Sequence, residues 1–238
     1  MSLGWESSMK TVLFILSFFT ITTLFAKEII VIGVAGGTGS GKTTLADQIK
    51  EAFPNDSVLV SQDNYYKDLG HLSFKEREQI NFDHPDSIDF PYLKQQIMEL
   101  KKGNAINKPI YNFQTHSRER DPEKVSPAQV IIVEGILLFA VSEVRDLFDV
   151  KIYIDADDDE RLLRRIERDM NERARDFVSV RNQYLETVKP MHDVFVEPSK
   201  KYADLIVPRG GRNKTALSMI ISKIKQEITP SKSQEKTL

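Results

Sequence analysis

The chain has 238 residues, enough for one domain with an appendage, and 40% of them are hydrophobic, too many for an intrinsically disordered protein. Its 33 Lys and Arg against 35 Asp and Glu give a net charge of −2, whereas dedicated nucleic-acid-binding proteins are usually clearly basic. The lack of cysteine excludes thiol catalysis, disulfides and cysteine-ligated zinc, and the 4 histidines argue against a histidine-built metal site.

The first 26 residues differ from the rest of the chain. An uncharged apolar stretch runs from Thr11 to Ala26, and it is shorter than the roughly 20 residues that usually span a bilayer. Lys10, a short apolar core and a final alanine are typical of a secretory signal, although Leu24 fits the cleavage pattern poorly. Two interpretations stay open: a signal-like leader, or an extraneous extension ahead of a domain at residues 27–228.

From residue 27 onward, strands alternate with helices, which predicts an α/β fold with a parallel sheet and right-handed crossovers. The five predicted strands are residues 28–35, 57–61, 130–133, 150–154 and 203–207. The predicted helices are residues 43–53, 92–102, 157–173, 178–188 and 213–228. Residues 105–125 alternate polar and apolar side chains around two prolines, which predicts an antiparallel hairpin inserted at one edge. Residues 229–238 are expected to form a flexible polar tail.

A glycine-rich segment joins the first predicted strand to the first predicted helix. Residues 36–43 read GGTGSGKT and fit the pattern G-x-x-x-x-G-K-[ST] in the required strand-to-helix context. Such a loop turns its N–H groups toward phosphate oxygens, and the helix N-terminus adds partial positive charge. Lys42 is expected to reach the β- and γ-phosphates, and the Thr43 hydroxyl to bind Mg²⁺. The predicted nucleoside triphosphate site consists of Gly36, Gly37, Thr38, Gly39, Ser40, Gly41, Lys42, Thr43 and Thr44.

Two acidic residues end predicted strands. Glu134 closes the apolar segment VIIVEG, where its carboxylate would act on the metal or its water shell. Asp63 follows the strand after the glycine loop, where a carboxylate is placed to accept a proton from an attacking hydroxyl and to assist the metal. For each acid, a solvated side chain at a strand end is the simpler alternative.

The predicted helix at residues 157–173 is rich in arginine. Arg161, Arg165 and Arg168 follow the i, i+4, i+7 spacing and share one face. Periodicity alone favours a solvated helix with surface salt bridges. The alternative is a lid that brings guanidinium groups over bound phosphates and excludes water. Because the chain is not basic overall, a phosphate clamp fits these arginines better than a nucleic-acid surface does.

Taken together, these segments resemble the uridine kinases (uridine–cytidine kinases). The resemblance covers roughly residues 29–228 and rests on GVAGGTGSGKTT, SQDNYY, NFDHPDS, YNFQTHSR, VEGIL, DERLLRRIERDMNERAR, SVRNQY and YADLIVPRGG. It implies a P-loop NTPase three-layer fold with a parallel five-stranded sheet, an inserted β-hairpin and a helical lid. It further implies transfer of the γ-phosphate of ATP or GTP, with Mg²⁺, to the 5′-hydroxyl of uridine or cytidine. A cytoplasmic homo-oligomer, a tetramer by resemblance, is expected, with no nucleic-acid or membrane partner for the kinase domain.

The resemblance also implies roles for individual residues. Asp83 would hold the ribose hydroxyls, while Tyr111 and His116 would read the pyrimidine edge. A phenol and a neutral imidazole can each donate or accept a hydrogen bond, so this pair would tolerate uracil and cytosine alike. The implied nucleoside contacts are Tyr66, Asp83, Tyr111, Phe113, His116, Arg165, Arg175 and Gln183. The implied catalytic residues are Asp63, the general base, with Lys42, Arg168 and Arg173, and the implied metal ligands are Thr43, Asp63 and Glu134.

Two further features are carried by the resemblance. Arg209, in the loop at residues 208–211, would border the donor adenine. Many members of the family have ERGR where this chain has Ala174 in place of the glycine, and alanine raises helix propensity by about 1 kcal/mol, so a stiffer lid hinge is expected.

Two other functions stay open beside the uridine kinase interpretation. The first is a related P-loop kinase of another small alcohol, such as phosphoribulokinase or pantothenate kinase, against which the YNFQTHSR hairpin argues. The second is a non-enzymatic nucleotide-binding switch, which the separate acids Asp63 and Glu134 disfavour.

Overall fold

The structure is a computed structural model that describes residues 29–173 and 175–229. The predictions for the leader, for the hinge alanine Ala174 and for residues 230–238 of the tail lie outside the described residues. Within the described ranges, no helix is both long enough and apolar enough to cross a membrane.

Nine strands occur in residues 29–173 and 175–229. In chain order they are β1 (Ile30–Gly36), β2 (Ser57–Ser61), β3 (Ile106–Lys108), β4 (Tyr111–Asn112), β5 (Ser117–Arg118), β6 (Glu123–Val125), β7 (Val130–Glu134), β8 (Val150–Ile154) and β9 (Leu205–Val207). Five of them form a parallel sheet in the order β2-β7-β1-β8-β9. This confirms the predicted five-stranded parallel sheet, and each predicted strand lies within two residues of the observed one.

Eight α-helical segments accompany the strands in the same ranges. They are α1 (Lys42–Ala52), α2 (Phe74–Arg77), α3 (Phe90–Lys101), α4 (Ser142–Arg145), α5 (Asp158–Glu172), α6 (Phe177–Gln183), α7 (Lys189–Met191) and α8 (Lys214–Ile228). The short helices α2 and α4 were not expected, because one turn carries too little periodicity to be recognised. Helix α8 begins one residue later than predicted, since Asn213 is its N-cap and accepts a hydrogen bond from the Ala216 N–H at 3.2 Å.

The helix predicted at residues 178–188 is too short. Helix α6 continues through a π-helical turn at Tyr184–Val188, then α7, a second π-helical turn at His192–Val196 and a 3₁₀ turn at Glu197–Tyr202. Pro190 does not end the helical path, because it occupies the first turn of α7, where a missing N–H is tolerated. The wide π turns therefore allow the helical path to continue past the proline.

The core has two halves, one on each face of the sheet. Side chains alternate along β1, so that Val31 packs on one face and Ile32 on the other, and both are fully buried. The first face is covered by α3 through residues such as Leu93, and the second by α1 and α8 through Leu45 and Ile220. Helices on both faces of a parallel sheet give the three-layer α/β arrangement that was expected.

The predicted hairpin is present, but it does not extend the main sheet. It consists of two antiparallel ladders, β3 with β6 and β4 with β5, and each forms a separate small sheet. Pro109 and Pro122 lie between the two ladders, where their missing N–H groups interrupt the pairing. The hairpin instead rests on the segment after β2, because the Arg118 Nε–H donates to the Tyr66 carbonyl at 2.8 Å. The expected position at a sheet edge is therefore corrected.

Candidate active site

The glycine loop runs from the end of β1 to the start of α1, at the carboxyl edge of the sheet. Gly39 and Gly41 have φ angles of 76° and 92°, which glycine adopts without the strain that other residues would suffer. Gly41 is the N-cap of α1, and no side chain of the described residues caps this helix. The N–H groups of the first turn are therefore available to an anionic ligand, as a phosphate-binding loop requires.

Three residues of the loop pack closely against neighbouring elements. A Cβ on Gly36 would lie 2.5 Å from the Ile154 carbonyl, and one on Gly37 would collide with the Arg161 guanidinium. Ser40 is fully buried, and its hydroxyl has no hydrogen-bond partner among the described residues. These residues allow the loop to pack closely against β8 and α5.

Glu134 lies at the end of β7, beneath the glycine loop. It is 4% exposed, and its carboxylate accepts hydrogen bonds from the Thr43 hydroxyl at 3.2 Å and the Ser61 hydroxyl at 2.5 Å. Burial raises the pKa of Glu134, the Lys42 ammonium opposes that rise, and the Asp63 carboxylate adds to it. A cation would relieve this cost, so the corner favours a positively charged ligand. Ser61 was not among the predicted residues.

The donor set at this corner fits Mg²⁺. Thr43, Asp63 and Glu134 supply only hydroxyl and carboxylate oxygens, which are the ligands that Mg²⁺ prefers. No group of three or more His, Cys, Asp or Glu within the described part of the chain is arranged to hold a metal alone. Mg²⁺ usually takes one or two carboxylates and completes its shell with substrate phosphates and water.

Most of the predicted site residues surround one cavity, which we call the first cleft. It is lined by Thr38, Lys42, Asp63, Tyr66, Phe82, Asp83, Tyr111, Phe113, His116, Ile136, Arg165, Arg168, Arg173, Arg175 and Gln183. The structure thus brings together all eight predicted nucleoside contacts and all four predicted catalytic residues. The sequence-based site does not include Phe82 and Ile136, although Phe82 lies inside the NFDHPDS segment, next to Asp83.

Aromatic rings form one end of the first cleft. Phe82 stacks on His116 with ring centroids 4.9 Å apart, and Tyr66 contacts Tyr111 at the same centroid distance. Burial raises the pKa of Tyr111, whereas burial and the nearby Arg175 lower the pKa of His116, so both side chains are neutral near pH 7. The buried Tyr111 hydroxyl has no hydrogen-bond partner among the residues described. An unsatisfied phenol of this kind is suited to a polar ring edge of a ligand.

Asp83 lies at another part of the first cleft and is 7% exposed. Its Oδ2 accepts a hydrogen bond from the Thr187 hydroxyl at 2.9 Å. Burial raises the pKa of Asp83, and the Arg165 guanidinium and the Thr187 bond oppose that rise. Beside it, the Gln183 amide oxygen accepts from Arg165 Nη2 at 2.8 Å and also from Arg175 Nη1. Thr187 was missed because it lies outside every recognised motif, in the π-helical turn that follows α6.

A second cleft lies on the other side of the glycine loop. It is lined by Gly39, Gly41, Lys42, Thr43, Thr44, Arg164, Glu167, Arg168, Glu172, Arg209, Gly211 and Arg212. The loop that carries Arg209 is held against the glycine loop, because the Gly211 N–H donates to the Ser40 carbonyl at 3.2 Å. Lys42 and Arg168 line both clefts. A group transferred from one cleft to the other would therefore pass beside these two cations.

Lys42 lies at this meeting point and is 7% exposed. Burial lowers the pKa of Lys42, while the carboxylates of Glu134 and Asp63 act in the opposite direction. The two carboxylates therefore do not fully offset the cost of burying the ammonium group. A bound phosphate would supply further negative charge.

The arginine face of α5 is not solvated. Arg161 and Arg165 are 5% and 4% exposed, and Arg165 Nη1 donates to the Thr38 hydroxyl of the glycine loop at 3.1 Å. The solvated helix that periodicity alone favours is therefore wrong for this face, which lies over the glycine loop as the lid interpretation requires. Arg164 does follow the solvated pattern, since it is exposed and pairs with Glu160 at 2.5 Å.

Known proteins are similar to this chain over most of its length. The model of the phosphoribulokinase / uridine kinase family matches residues 31–216. A uridine kinase of Clostridium novyi (strain NT) is 51% identical over 204 residues, which cover 85% of this chain and 98% of that protein. A uridine kinase of Lactobacillus johnsonii is 46% identical over 206 residues, which cover 86% and 98%.

Solved structures with low identity share the fold. A putative fructose transport system kinase from Silicibacter sp. TM1040 has a TM-score of 0.59 at 20% identity, covering 76% of this chain and 90% of that one. The phosphoribulokinase from Rhodobacter spheroides has a TM-score of 0.57 at 16% identity, covering 77% and 71%. At such identities the likeness concerns the fold alone.

Proposed function

Because the chain belongs to the phosphoribulokinase / uridine kinase family, we propose that it transfers the γ-phosphate of ATP to the 5′-hydroxyl of uridine or cytidine. GTP is the alternative donor. The observation that carries the proposal is that Lys42 and Arg168 line both clefts. The triphosphate occupies the second cleft and the nucleoside the first, so that the γ-phosphate meets the acceptor hydroxyl between two cations.

Phosphoryl transfer depends on positioning and on stabilisation of phosphate charge more than on covalent chemistry by the protein. Asp63, in the first cleft, accepts the proton of the 5′-hydroxyl as that oxygen attacks phosphorus. Lys42 holds the β- and γ-phosphates, and Arg168 and Arg173 stabilise the charge on the transferred group and the leaving oxygen. Bound Mg²⁺, held by Thr43, Asp63 and Glu134, neutralises phosphate charge.

The aromatic end of the first cleft suits a pyrimidine. Uracil presents an acceptor at position 4 and a donor at position 3, and cytosine reverses both. Tyr111 and His116 are neutral, and a phenol or imidazole can donate or accept, so the pair is compatible with either base. Phe113 and Phe82 contribute ring surface on which a planar base can pack.

The remaining parts of the proposal rest on placement and on resemblance. The loop at residues 208–211 borders the donor adenine, which is consistent with Arg209 in the second cleft. We further propose a homo-oligomer, a tetramer by resemblance, that works in the cytoplasm. The uridine kinase relatives favour this function over a kinase of another small alcohol, and the acceptor cleft with its carboxylate Asp63 favours it over a non-enzymatic switch.

A nucleoside panel tests the proposed function. The protein starting at Lys27 is incubated with ATP, Mg²⁺ and one acceptor at a time, and ADP and the phosphorylated product are measured. The acceptors are uridine, cytidine, adenosine, guanosine, ribulose 5-phosphate and pantothenate. We expect 5′-phosphorylation of uridine, cytidine or both. Phosphorylation of only ribulose 5-phosphate or pantothenate would assign another kinase, and ADP release that no acceptor stimulates would favour a switch.

Removing residues 1–26 is expected to leave the kcat/KM for uridine and the yield of folded protein unchanged or improved. The reason is that β1 begins at Ile30 and the family match begins at residue 31. The measurement compares the full chain with the chain from Lys27 at equal concentrations of active sites. A truncated chain that does not fold, or that has lost most of its activity, would make the leader part of the domain.

Uridine is expected to exceed 2′-deoxyuridine in kcat/KM by at least ~10-fold, since sites built to hydrogen-bond a hydroxyl reject analogues that lack it. An ionised Asp83 can accept hydrogen bonds from both ribose hydroxyls, and Thr187 uses only one of its acceptor positions. The deoxynucleoside leaves one position of a buried charge unpaired, at a cost of about 1–3 kcal/mol or more. Because burial raises the pKa of Asp83, its protonation should weaken the preference as the pH falls.

Asp83→Ala should remove most of this preference, mainly by lowering the kcat/KM for uridine. The matched control is Asp86→Ala, since the side chain of Asp86 is 89% exposed in the same segment. The kcat/KM ratio of the two nucleosides is measured for the parent and both variants. If the parent and Asp83→Ala have the same kcat/KM ratio for the two nucleosides, Asp83 is only a structural residue of the loop. The ribose contact would then be assigned to Arg165 or Gln183.

A further inference from the structure

Asp169, in the last turns of α5, is a buried carboxylate that the mechanism above does not use. It has no exposed surface, and four guanidinium groups surround it. Arg168 donates to its Oδ1 from Nε at 2.9 Å and from Nη2 at 2.8 Å, and Arg173 Nη1 lies 3.7 Å from the same oxygen. Arg165 Nη2 lies 3.5 Å from Oδ2 and Arg175 Nη1 lies 4.0 Å from it. We call Arg165, Arg168, Arg173 and Arg175 the arginine cluster.

The two carboxylate oxygens separate the cluster into two pairs. Oδ2 faces Arg165 and Arg175, which also share the Gln183 amide oxygen in the first cleft. Oδ1 faces Arg168, which lines both clefts, and Arg173. Oδ1 is hydrogen-bonded to Arg168, whereas Oδ2 forms no hydrogen bond with the described residues and interacts with the nucleoside-side pair through charge, at 3.5 and 4.0 Å. One side chain therefore lies between the pair on the nucleoside side and the pair at the transfer point.

Two further contacts connect this arrangement to the walls of the first cleft. The Arg173 guanidinium lies over the Phe113 ring, 4.2 Å from its centroid, so a ligand that packs on Phe113 also contacts the cluster. The Arg175 N–H donates to the Asp169 carbonyl at 3.2 Å, which holds the start of the α5–α6 connection against the end of α5. Residues that touch Asp169 therefore also touch the wall of the first cleft and the α5–α6 connection.

The charges explain why a carboxylate is needed at this position. Burial lowers the pKa of Arg165 and of Arg173, and the neighbouring guanidinium groups lower both further, whereas Asp169 raises both. Burial alone would raise the pKa of Asp169, but Arg165, Arg168 and Arg173 outweigh it and hold that pKa below its ordinary value. Asp169 is therefore ionised, and it opposes the mutual repulsion that would otherwise spread the guanidinium groups apart.

We propose that Asp169 is a positioning residue that fixes the nucleoside-side pair and the transfer-point pair as one array, so that the nucleoside and the triphosphate each favour binding of the other. Asp169 touches neither substrate, because it has no exposed surface. A nucleoside that fixes the positions of Arg165, Arg175 and the Phe113 ring also fixes Arg168, because the Asp169 carboxylate lies between the two pairs. By linkage, the triphosphate must favour the nucleoside by the same factor. The inference rests on the proposed function for the identity of the two ligands.

Asp169→Asn tests this role, because asparagine has nearly the same shape and no charge. The matched control is Asp159→Asn, an exposed position in the first turn of the same helix. For the parent and both variants we would measure kcat, the KM for uridine and ATP, the Tm, and the Kd of a non-hydrolysable ATP analogue with and without uridine. In the parent, uridine is expected to lower the Kd of the ATP analogue by about fivefold or more, a usual size for coupling between sites.

In Asp169→Asn, uridine is expected to lower the Kd of the analogue by less than about twofold. The kcat is expected to fall roughly 10- to 100-fold, as is usual for misplaced catalytic groups. Asp159→Asn should match the parent in both. A lower Tm with unchanged kcat and unchanged coupling would make Asp169 a purely structural residue and overturn the proposal. A parent in which uridine does not affect the analogue would overturn it as well.

If Asp169→Asn does not fold, Asp169→Glu provides the second test. It keeps the charge, so it is expected to fold and to keep most of the coupling. Failure of both variants to fold would show that this buried position serves stability, and the proposal would be wrong. A parent that phosphorylates neither uridine nor cytidine overturns the proposed function. A parent that phosphorylates either one, with coupling that survives in Asp169→Asn, overturns the positioning role alone.

Discussion

Replacing Asp63 with asparagine is expected to lower the kcat for uridine by ~10²-fold or more, because general acid–base catalysis typically contributes 10²–10⁴-fold. Asparagine is nearly the same shape but cannot accept the proton of the 5′-hydroxyl. Asp63 lines the first cleft. Burial lowers the pKa of Lys42 and raises the pKa of Tyr66, and the Asp63 charge opposes the first shift and adds to the second. Asp63 therefore lies beside the point where the two clefts meet. The KM for uridine is expected to change little.

The measurement is steady-state kinetics with uridine at saturating ATP, together with the Kd of a non-hydrolysable ATP analogue, since Asp63 is also a proposed metal ligand. Asp68→Asn is the matched control, because Asp68 is an exposed acid a few residues further along the chain. A raised KM with an unchanged kcat would make Asp63 a nucleoside-binding residue, and the general base would then have to be sought elsewhere. A loss of analogue binding that accounts for the whole effect would assign Asp63 to the metal.

The sheet and the phosphate-binding loop could be predicted because local sequence determines them. A strand that is buried on both faces is a continuous apolar run, as in β1 and β7. The loop needs glycine where φ is positive, and Gly39 and Gly41 carry that requirement in the sequence itself. Because β1, β2 and β7 are parallel, their carboxyl ends lie at one edge of the sheet, which is why Asp63 and Glu134 were recognised.

Other site residues depend on tertiary contacts that local sequence does not encode. Thr187 reaches Asp83 from a helical turn more than 100 residues away, and no spacing rule relates the two. Asp169 lies in a run of alternating charges that is typical of an exposed helix. It is buried only because α5 lies against the glycine loop and because the chain returns through Arg173 and Arg175 to cover it. The arginine face could be predicted from the i, i+4, i+7 spacing. Its burial could not, because burial depends on tertiary contacts.

The nucleoside contacts were recognised for a third reason, which is the resemblance. Periodicity alone would leave His116 as one histidine on a short strand, and Tyr111 as an ordinary strand tyrosine. In the structure, His116 has a φ angle of 51° at the tip of the hairpin, and its ring stacks on Phe82 from a different segment. A site that is assembled from a hairpin and a distant loop is visible in sequence only when the segments are recognised together.

Replacing Lys42 with alanine is expected to lower the kcat/KM for uridine and ATP by about 10³-fold, the upper end of what one preorganised donor contributes. Lys42 lines both clefts, so its ammonium group is the fixed partner of the β- and γ-phosphates and of the charge that moves between them. The fold is expected to remain intact, because burial lowers the pKa of Lys42 and a charged form that is disfavoured by folding adds little to stability.

Lys50→Ala provides the control, since Lys50 is an exposed lysine on the same helix. Circular dichroism and the Tm establish the fold of each variant, and steady-state kinetics with uridine and ATP give the kcat/KM. If the kcat/KM of Lys42→Ala is within about threefold of the parent, the difference in transition-state free energy is small, and the ammonium group has almost no role in the transfer. The glycine loop would then no longer be the site of the triphosphate, and the transfer point would have to be placed away from the junction of the two clefts.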